Sequence, residues 1–241
     1  MTQLTERLEQ LKTKMLEMSS LVESGIQCSI SAAVQRDQDA AEAVFKYETR
    51  INLIDLEIDR LVVDLLALHQ PMAIDLRFVI AALKINTNLE RMGDLSVNIA
   101  HSARSLIDGS TDTPMIDIPL IAGLVESMVR KRMDAFIQSD VDLARNVLST
   151  DAAVDTLRTI CYHQLISFME KDPTSIKQAL NLLDVTRYLE RLGDHATNIA
   201  EIVLFYVKES RSGIVAARPS TKRLSFREAT SVYVFTVGTI G

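Results

Sequence analysis

LERMGDLSVNIA at residues 89–100 returns as LERLGDHATNIA at residues 189–200, with eight of the twelve positions identical. A chain that repeats itself at such an offset is built from two copies of one structural unit. The shared residues include Glu, Arg, Gly, Asp and Asn in fixed order. Apolar packing does not demand that set.

Outward from this stretch the apolar period is helical. Leu4, Leu8, Leu11, Met15, Met18 and Val22 alternate steps of four and three, the seam of a long first helix to about Gln35. A second helix opens near Asp37–Asp39 and carries Tyr47, Ile51, Ile54, Ile58, Leu61, Leu65 and Leu68 on one stripe. Gln70-Pro71 breaks it, and proline in a first helical turn starts a third helix from Met72 to about Ile107. The turn-rich segment 108–119 then separates the copies. The second copy reads as helices over about 120–138, from the Ser139-Asp140 cap to about Lys171, and from Asp172-Pro173 to about Ser210.

The expectation is an all-α protein of two tandem antiparallel three-helix bundles related as a pseudo-twofold repeat. The first unit covers residues 1–109 and the second 110–212. Residues 213–241 form an atypical tail, read as disordered or irregular although 231–240 has strand-like composition.

Composition agrees. Aromatic residues make up only 5% of the 241 and tryptophan is absent, while hydrophobic residues reach 47%. No apolar run approaches the roughly 20 residues that span a bilayer. The amphipathic N-terminus has no signal-peptide character, and Cys28 and Cys161 suggest no disulfide framework, so the expected compartment is the cytoplasm. Residues 208–241 carry six basic and two acidic side chains, which leaves the rest of the chain near −10. An acidic body excludes nucleic acid as the main partner and suits cations.

The acidic residues are ordered. At about 100° per residue, Glu90, Asp94, Asn98 and His101 share one sector of a helix, as do Glu190, Asp194, Asn198 and Glu201. The preceding helices carry Glu48, Asn52, Asp55 and Asp59 in the first unit and Asp151 and Asp155 in the second. Carboxylates one turn apart repel by a few tenths of a kcal/mol, more when two such rows face each other. A solvated acidic face paired with Arg91 and Arg191 is one reading, and a cation site with oxygen-only ligands is the other. Gly93 and Gly193 inside both copies favour a close approach of backbone or ligand, because glycine in a helix costs about 1 kcal/mol. The histidines lack ExxH or HExxH spacing, and no phosphate-binding loop, CxxC pair or GxSxG elbow is present.

HQPMAIDLRFVIAALKINTNLERMGD at residues 69–94, followed by the second LERLGDHATNIAE, closely resembles the PhoU family over roughly residues 3–210. That resemblance implies two three-helix bundles whose E(D)xxxD motifs bind multinuclear metal clusters of Fe, Zn, Mn or Mg. It implies a non-enzymatic negative regulator of phosphate uptake and of the phosphate-starvation response. Its partners would be the ATPase of the phosphate ABC transporter, a sensor histidine kinase and a second copy of itself. Neither nucleic acid nor membrane insertion is implied. By position, the motifs fall on Glu48, Asn52, Glu90 and Asp94 in the first unit and on Asp151, Asp155, Glu190 and Asp194 in the second. Asn52 departs from a strict E(D)xxxD, leaving Asp55 one turn on to compensate. The alternatives are a metal-dependent phosphoester hydrolase or a purely structural helical scaffold.

Overall fold

The breaks between helices fall where capping chemistry puts them. In the computed structural model, which describes residues 3–109 and 116–216, α1 (Gln3–Gln35) ends at Arg36 with a left-handed φ of 56°. Asp37 then caps α2 (Gln38–Asp64), its carboxylate accepting the Ala40 amide at 3.0 Å. After α3 (Ile74–Ile107) and α4 (Ile118–Gln138), Asp140 accepts the amides of Asp142 and Leu143 to open α5 (Val141–Lys171). Asp172 accepts the Thr174 amide and leads through a single 3₁₀ turn, Pro173–Ser175, into α6 (Ile176–Ala216).

Two sequence expectations need correction. The second helix closes with a five-residue π-turn, Leu65–His69. Its wider turn takes Leu68 off the stripe, leaving it 73% exposed. Pro71 does not start the third helix either. Gln70 and Ala73 both hold left-handed φ, 43° and 49°, so the proline lies within a bend and α3 begins at Ile74. At the other end α6 runs beyond Ser210 to Ala216. The tail 217–241, including 231–240, lies outside the described residues.

Helices α1, α2 and α3 pack mutually around Leu11, Met15, Met18 and Val22, all fully buried. In the second bundle α4, α5 and α6 meet where Gly193 lies beside Met128 and Val154. The bundles join through α1 against α4 and through α3 against α6. Phe78 stacks on Phe136 with centroids 5.5 Å apart, and Tyr206 meets Phe78 edge-on and Phe136 at a tilt, locking α3, α4 and α6 together. Asn88 meets His195 and Phe78 meets Tyr206, so α3 and α6 run antiparallel. Among the described residues there is no strand, and no helix is long and apolar enough to cross a membrane.

Arg132 is the anomaly of this core. It stands on the apolar stripe of α4 with no exposed surface. Its Nη1 donates to the Val129 carbonyl, while Nε and Nη2 have no partner among the described residues. Burial pushes its pKa down to about 10, against the charge of Glu23 on α1. A buried cation with unmet donors is costly, and a well-packed apolar replacement removes that cost. Arg132→Met is therefore expected to raise the thermal midpoint. A drop of several degrees would show that the guanidinium is instead a net stabiliser.

Candidate metal centre

The site begins with two glycines. A Cβ at Gly93 would stand 3.2 Å from the Ile51 Cδ1, and one at Gly193 would stand 3.7 Å from the Asp151 Oδ1 and 3.8 Å from Val154. Glycine on the third helix of each bundle thus lets the second helix approach closely. Ile51 and Val154 are the matching positions, which sets Glu48 against Asp151 and Asn52 against Asp155. The same register sets Asp55 against Arg158. Along the third helices it pairs Asn86 with Thr186, Glu90 with Glu190 and Asp94 with Asp194.

In the second repeat Asp151 and Glu190 are half-buried, and Asp155 and Asp194 lie open to solvent. Among the described residues none of the four carboxylates has an ion pair within 4 Å or a side-chain hydrogen bond. Both half-buried acids hold their protons above the ordinary carboxylate range. For Asp151 the causes are burial, then the charges of Asp155 and Asp194. For Glu190 they are burial and Asp194, relieved by Arg158, reinforced by Asp155 and relieved again by Arg191. The charges on α5 therefore act on α6 and the reverse. These residues are one electrostatic unit.

The first repeat satisfies its acids differently. Asn52 donates to the Glu48 Oε1 at 2.7 Å, and Arg91 lies 3.4 Å from both Glu90 and Asp94. Asn86 reaches across from α3, its Nδ2 donating to the Asp55 Oδ1 at 2.7 Å and, more weakly, to the Asp59 Oδ1 at 3.4 Å. Burial, then Asp59, raises the pKa of Asp55 against this hydrogen bond. Glu90 is raised by burial and Asp94, and further by Asp55. Arg91 thus pairs with its own helix, whereas Arg191 makes no ion pair among the described residues. Sequence reasoning passed over Asn86. Its signal was an amide on an otherwise apolar face of α3, one turn before Glu90.

The donor chemistry fits a hard divalent cation best in the second repeat, where four oxygen-bearing acids make no ion pair within 4 Å among the described residues and Arg158 and Arg191 act on Glu190 only from farther off. Among the described residues no three His, Cys, Asp or Glu side chains converge as a ready-made ligand set. The carboxylates share a face without closing on one point, as like charges do without an ion between them. His195 belongs to a different task. Asn88 Nδ2 donates to the Lys84 carbonyl, which leaves its Oδ1 to accept from His195 Nδ1 at 2.9 Å. That bond tethers α6 to α3, and burial, with Arg191 and Arg91 nearby, lowers the histidine pKa. An apolar groove between α3 and α6, lined in part by Leu76, Ile80 and the 65% exposed Phe205, reaches Asn198 and Glu201 at the far end of the second acidic stripe.

Raised carboxylate pKa values have a defined consequence. The folded state binds more protons than the unfolded chain, so this contribution to stability is full below the ordinary range near 4 and is lost as pH rises through the raised values. Without metal, Glu190→Gln/Asp194→Asn is expected to exceed the wild type in thermal midpoint by a margin that widens from pH 4 to pH 7. A margin constant across that window would mean that the four acids do not interact.

The PhoU domain matches the chain twice, over residues 15–103 and 118–203. A protein from Caulobacter vibrioides described as a phosphate-specific transport system accessory protein PhoU homolog is 38% identical over 83% of this chain and 87% of its own. The crystal structure of PhoU from Pseudomonas aeruginosa superposes with a TM-score of 0.82 at 35% identity, covering 86% of this chain and 99% of that one. The phosphate transport system regulatory protein PhoU from Streptococcus pneumoniae gives 0.77 at 25% identity, over 85% and 96%.

Proposed function

The chain belongs to the PhoU family, and from that premise we propose that it is a regulatory accessory of phosphate transport whose carboxylate faces bind divalent or multinuclear metal ions. The observation that carries the metal reading is the electrostatic unit of Asp151, Asp155, Glu190 and Asp194, which faces solvent without a basic partner within 4 Å among the described residues. In the first repeat Glu90 and Asp94, with Glu48 and Asn52, are the corresponding positions. Iron, zinc, manganese and magnesium all suit oxygen donors, with bridging carboxylates allowing more than one ion. The bound cation would supply counter-charge and fix the second and third helices of each bundle against one another. Asp151 and Glu190 would hold it from the half-buried side, with Asp155 and Asp194 closing from the solvent side.

The output of such a protein is differential affinity. Phosphate regulation requires that partner states be distinguished, and a helix pair stiffened by cations offers a surface with two affinities. The relatives are described as accessory or regulatory proteins of phosphate transport, and on this reading the chain acts on the transporter as a negative regulator in the cytoplasm. Its partners are the transporter's ATPase and a sensor histidine kinase, and it works as a homodimer without catalysis of its own.

Two outcomes follow. Chelator is expected to lower the thermal midpoint and added Mn²⁺ to restore it, increasingly as the metal exceeds its dissociation constant. Glu190→Gln/Asp194→Asn should lose most of that response. A midpoint indifferent to both additions in the wild type would return the acids to a solvated face. In cells, deletion of the chain is expected to leave phosphate-starvation genes expressed in high phosphate. Unchanged repression would overturn the regulatory assignment.

A further inference from the structure

Duplication reversed the charge at one place beside the acids. The register that matches Ile51 with Val154 sets Asp55 and Asp59 of α2 against Arg158 and Tyr162 of α5. Along the third helices it sets Asn86 and Thr87 against Thr186 and Arg187. In the first repeat these positions are acidic and bridged, with Asn86 donating to both aspartates. In the second, Arg158, Tyr162, Leu183, Thr186 and Arg187 line a cleft of about 190 Å³ between α5 and α6. Arg158 is half-buried and makes no ion pair within 4 Å and no side-chain hydrogen bond among the described residues. It acts on Glu190 only from farther off. Arg187 lines the same cleft from α6. Its Nη2 meets the Asp184 Oδ1 at 2.9 Å and the Tyr188 hydroxyl at 3.4 Å, which leaves Nε and Nη1 for another acceptor. Two guanidinium groups in one cleft repel each other unless an anion lies between them.

We propose that this cleft is an anion site that takes inorganic phosphate, with Arg158 and Arg187 as its clamp and the Tyr162 hydroxyl as a further donor. A planar guanidinium presents paired N–H donors that match two phosphate oxygens at once, and such charge-assisted bonds are roughly twice as strong as neutral ones. One fork comes from each helix. Leu183 supplies apolar wall, and the lower local dielectric beside it strengthens the charge contacts. Thr186 does not join the clamp, because its hydroxyl donates to its own Leu183 carbonyl at 2.9 Å. Asp184 and Glu190 are the competing acids, and between them they engage a single nitrogen of Arg187 and none of Arg158 within 4 Å. The site needs no metal, since its donors are the chain's own. The choice of phosphate among tetrahedral oxyanions rests on the regulatory reading above. Asp55 and Asp59 exclude an equivalent cleft from the first repeat, so the stoichiometry is one phosphate per chain.

The test uses the full chain with chelator present, titrated with inorganic phosphate by calorimetry at constant ionic strength. The wild type is expected to bind one phosphate. Arg158→Lys keeps the charge beside Glu190 but loses the fork. That variant and Arg187→Gln should each weaken binding at least about tenfold, or 1.4 kcal/mol. Arg145→Gln, which removes an exposed arginine of α5 paired with Asp142 outside the cleft, should bind as the wild type does. Thermal unfolding reports whether each variant folds, and phosphate should raise the midpoint of the wild type and of Arg145→Gln more than that of the cleft variants. A wild type that binds no phosphate overturns the site, as does equal weakening by Arg145→Gln, the mark of a diffuse charge effect. Binding at wild-type strength in Arg158→Lys would also overturn it and return Arg158 to a counter-charge for Glu190. Each of these failures leaves the Mn²⁺ response and the deletion phenotype standing, whereas an absent deletion phenotype with phosphate held in the cleft refutes the regulatory reading alone.

Discussion

Four carboxylates set on two helices that approach over a glycine create a charge problem that the fold's own Arg158 and Arg191 offset only in part, since the Asp151 and Glu190 pKa values stay raised. Gly193 brings Asp151 against the backbone of α6, and the acids of α5 and α6 then raise one another's proton affinity. At an effective dielectric near 20, two unit charges roughly 8 Å apart cost about 2 kcal/mol. Rows of such charges would be expected to drift apart or to recruit basic side chains. The bundle keeps them close, because the apolar face of each helix is committed to the core: Val154 on α5, and Leu189, Leu192 and Ile199 on α6, are buried. Core packing fixes the helices and leaves their polar faces to be neutralised from outside.

The first repeat shows what partial neutralisation looks like. An asparagine at position 52 converts one like-charge pair into a hydrogen bond, and Arg91 draws Glu90 and Asp94 toward itself. Asn86 holds Asp55 from the core side but leaves its own oxygen orphaned. Duplication therefore preserved the scaffold more faithfully than the charge. The glycine, the glutamate and the aspartate of LERxGD recur at equivalent places, while the opposing helix exchanges Asp55 for Arg158 and Asn52 for Asp155. Two sites built on one frame in this way need not share an affinity, and a protein that reads its surroundings can use that difference.

Much of this was legible in the sequence, because helices announce themselves locally. Asp37, Asp140 and Asp172 each precede a helix and each accepts backbone amides. The seam Leu11, Met15, Met18 and Val22 is buried as its spacing required. The misses have one origin, since they depend on geometry that spacing does not encode. A π-turn at Leu65–His69 rotated Leu68 into solvent, and two left-handed residues placed Pro71 in a bend rather than a helix start. Asn86 and Arg132 read as ordinary polar residues on their helices. Only the neighbours contributed by other elements show one to be aimed at carboxylates and the other to be buried without full pairing. The antiparallel contact of α3 with α6 through Asn88 and His195 is likewise invisible to any local pattern.

Anomalous diffraction at the manganese edge, from crystals grown with Mn²⁺ and no chelator, tests the central claim most directly, because it locates cations without reference to stability or activity. Peaks are predicted between α5 and α6 at Asp151, Asp155, Glu190 and Asp194, and between α2 and α3 beside Glu48, Glu90 and Asp94. Maps featureless at both helix pairs, with protein shown to be folded, would contradict the account and leave the acidic rows as solvated surface.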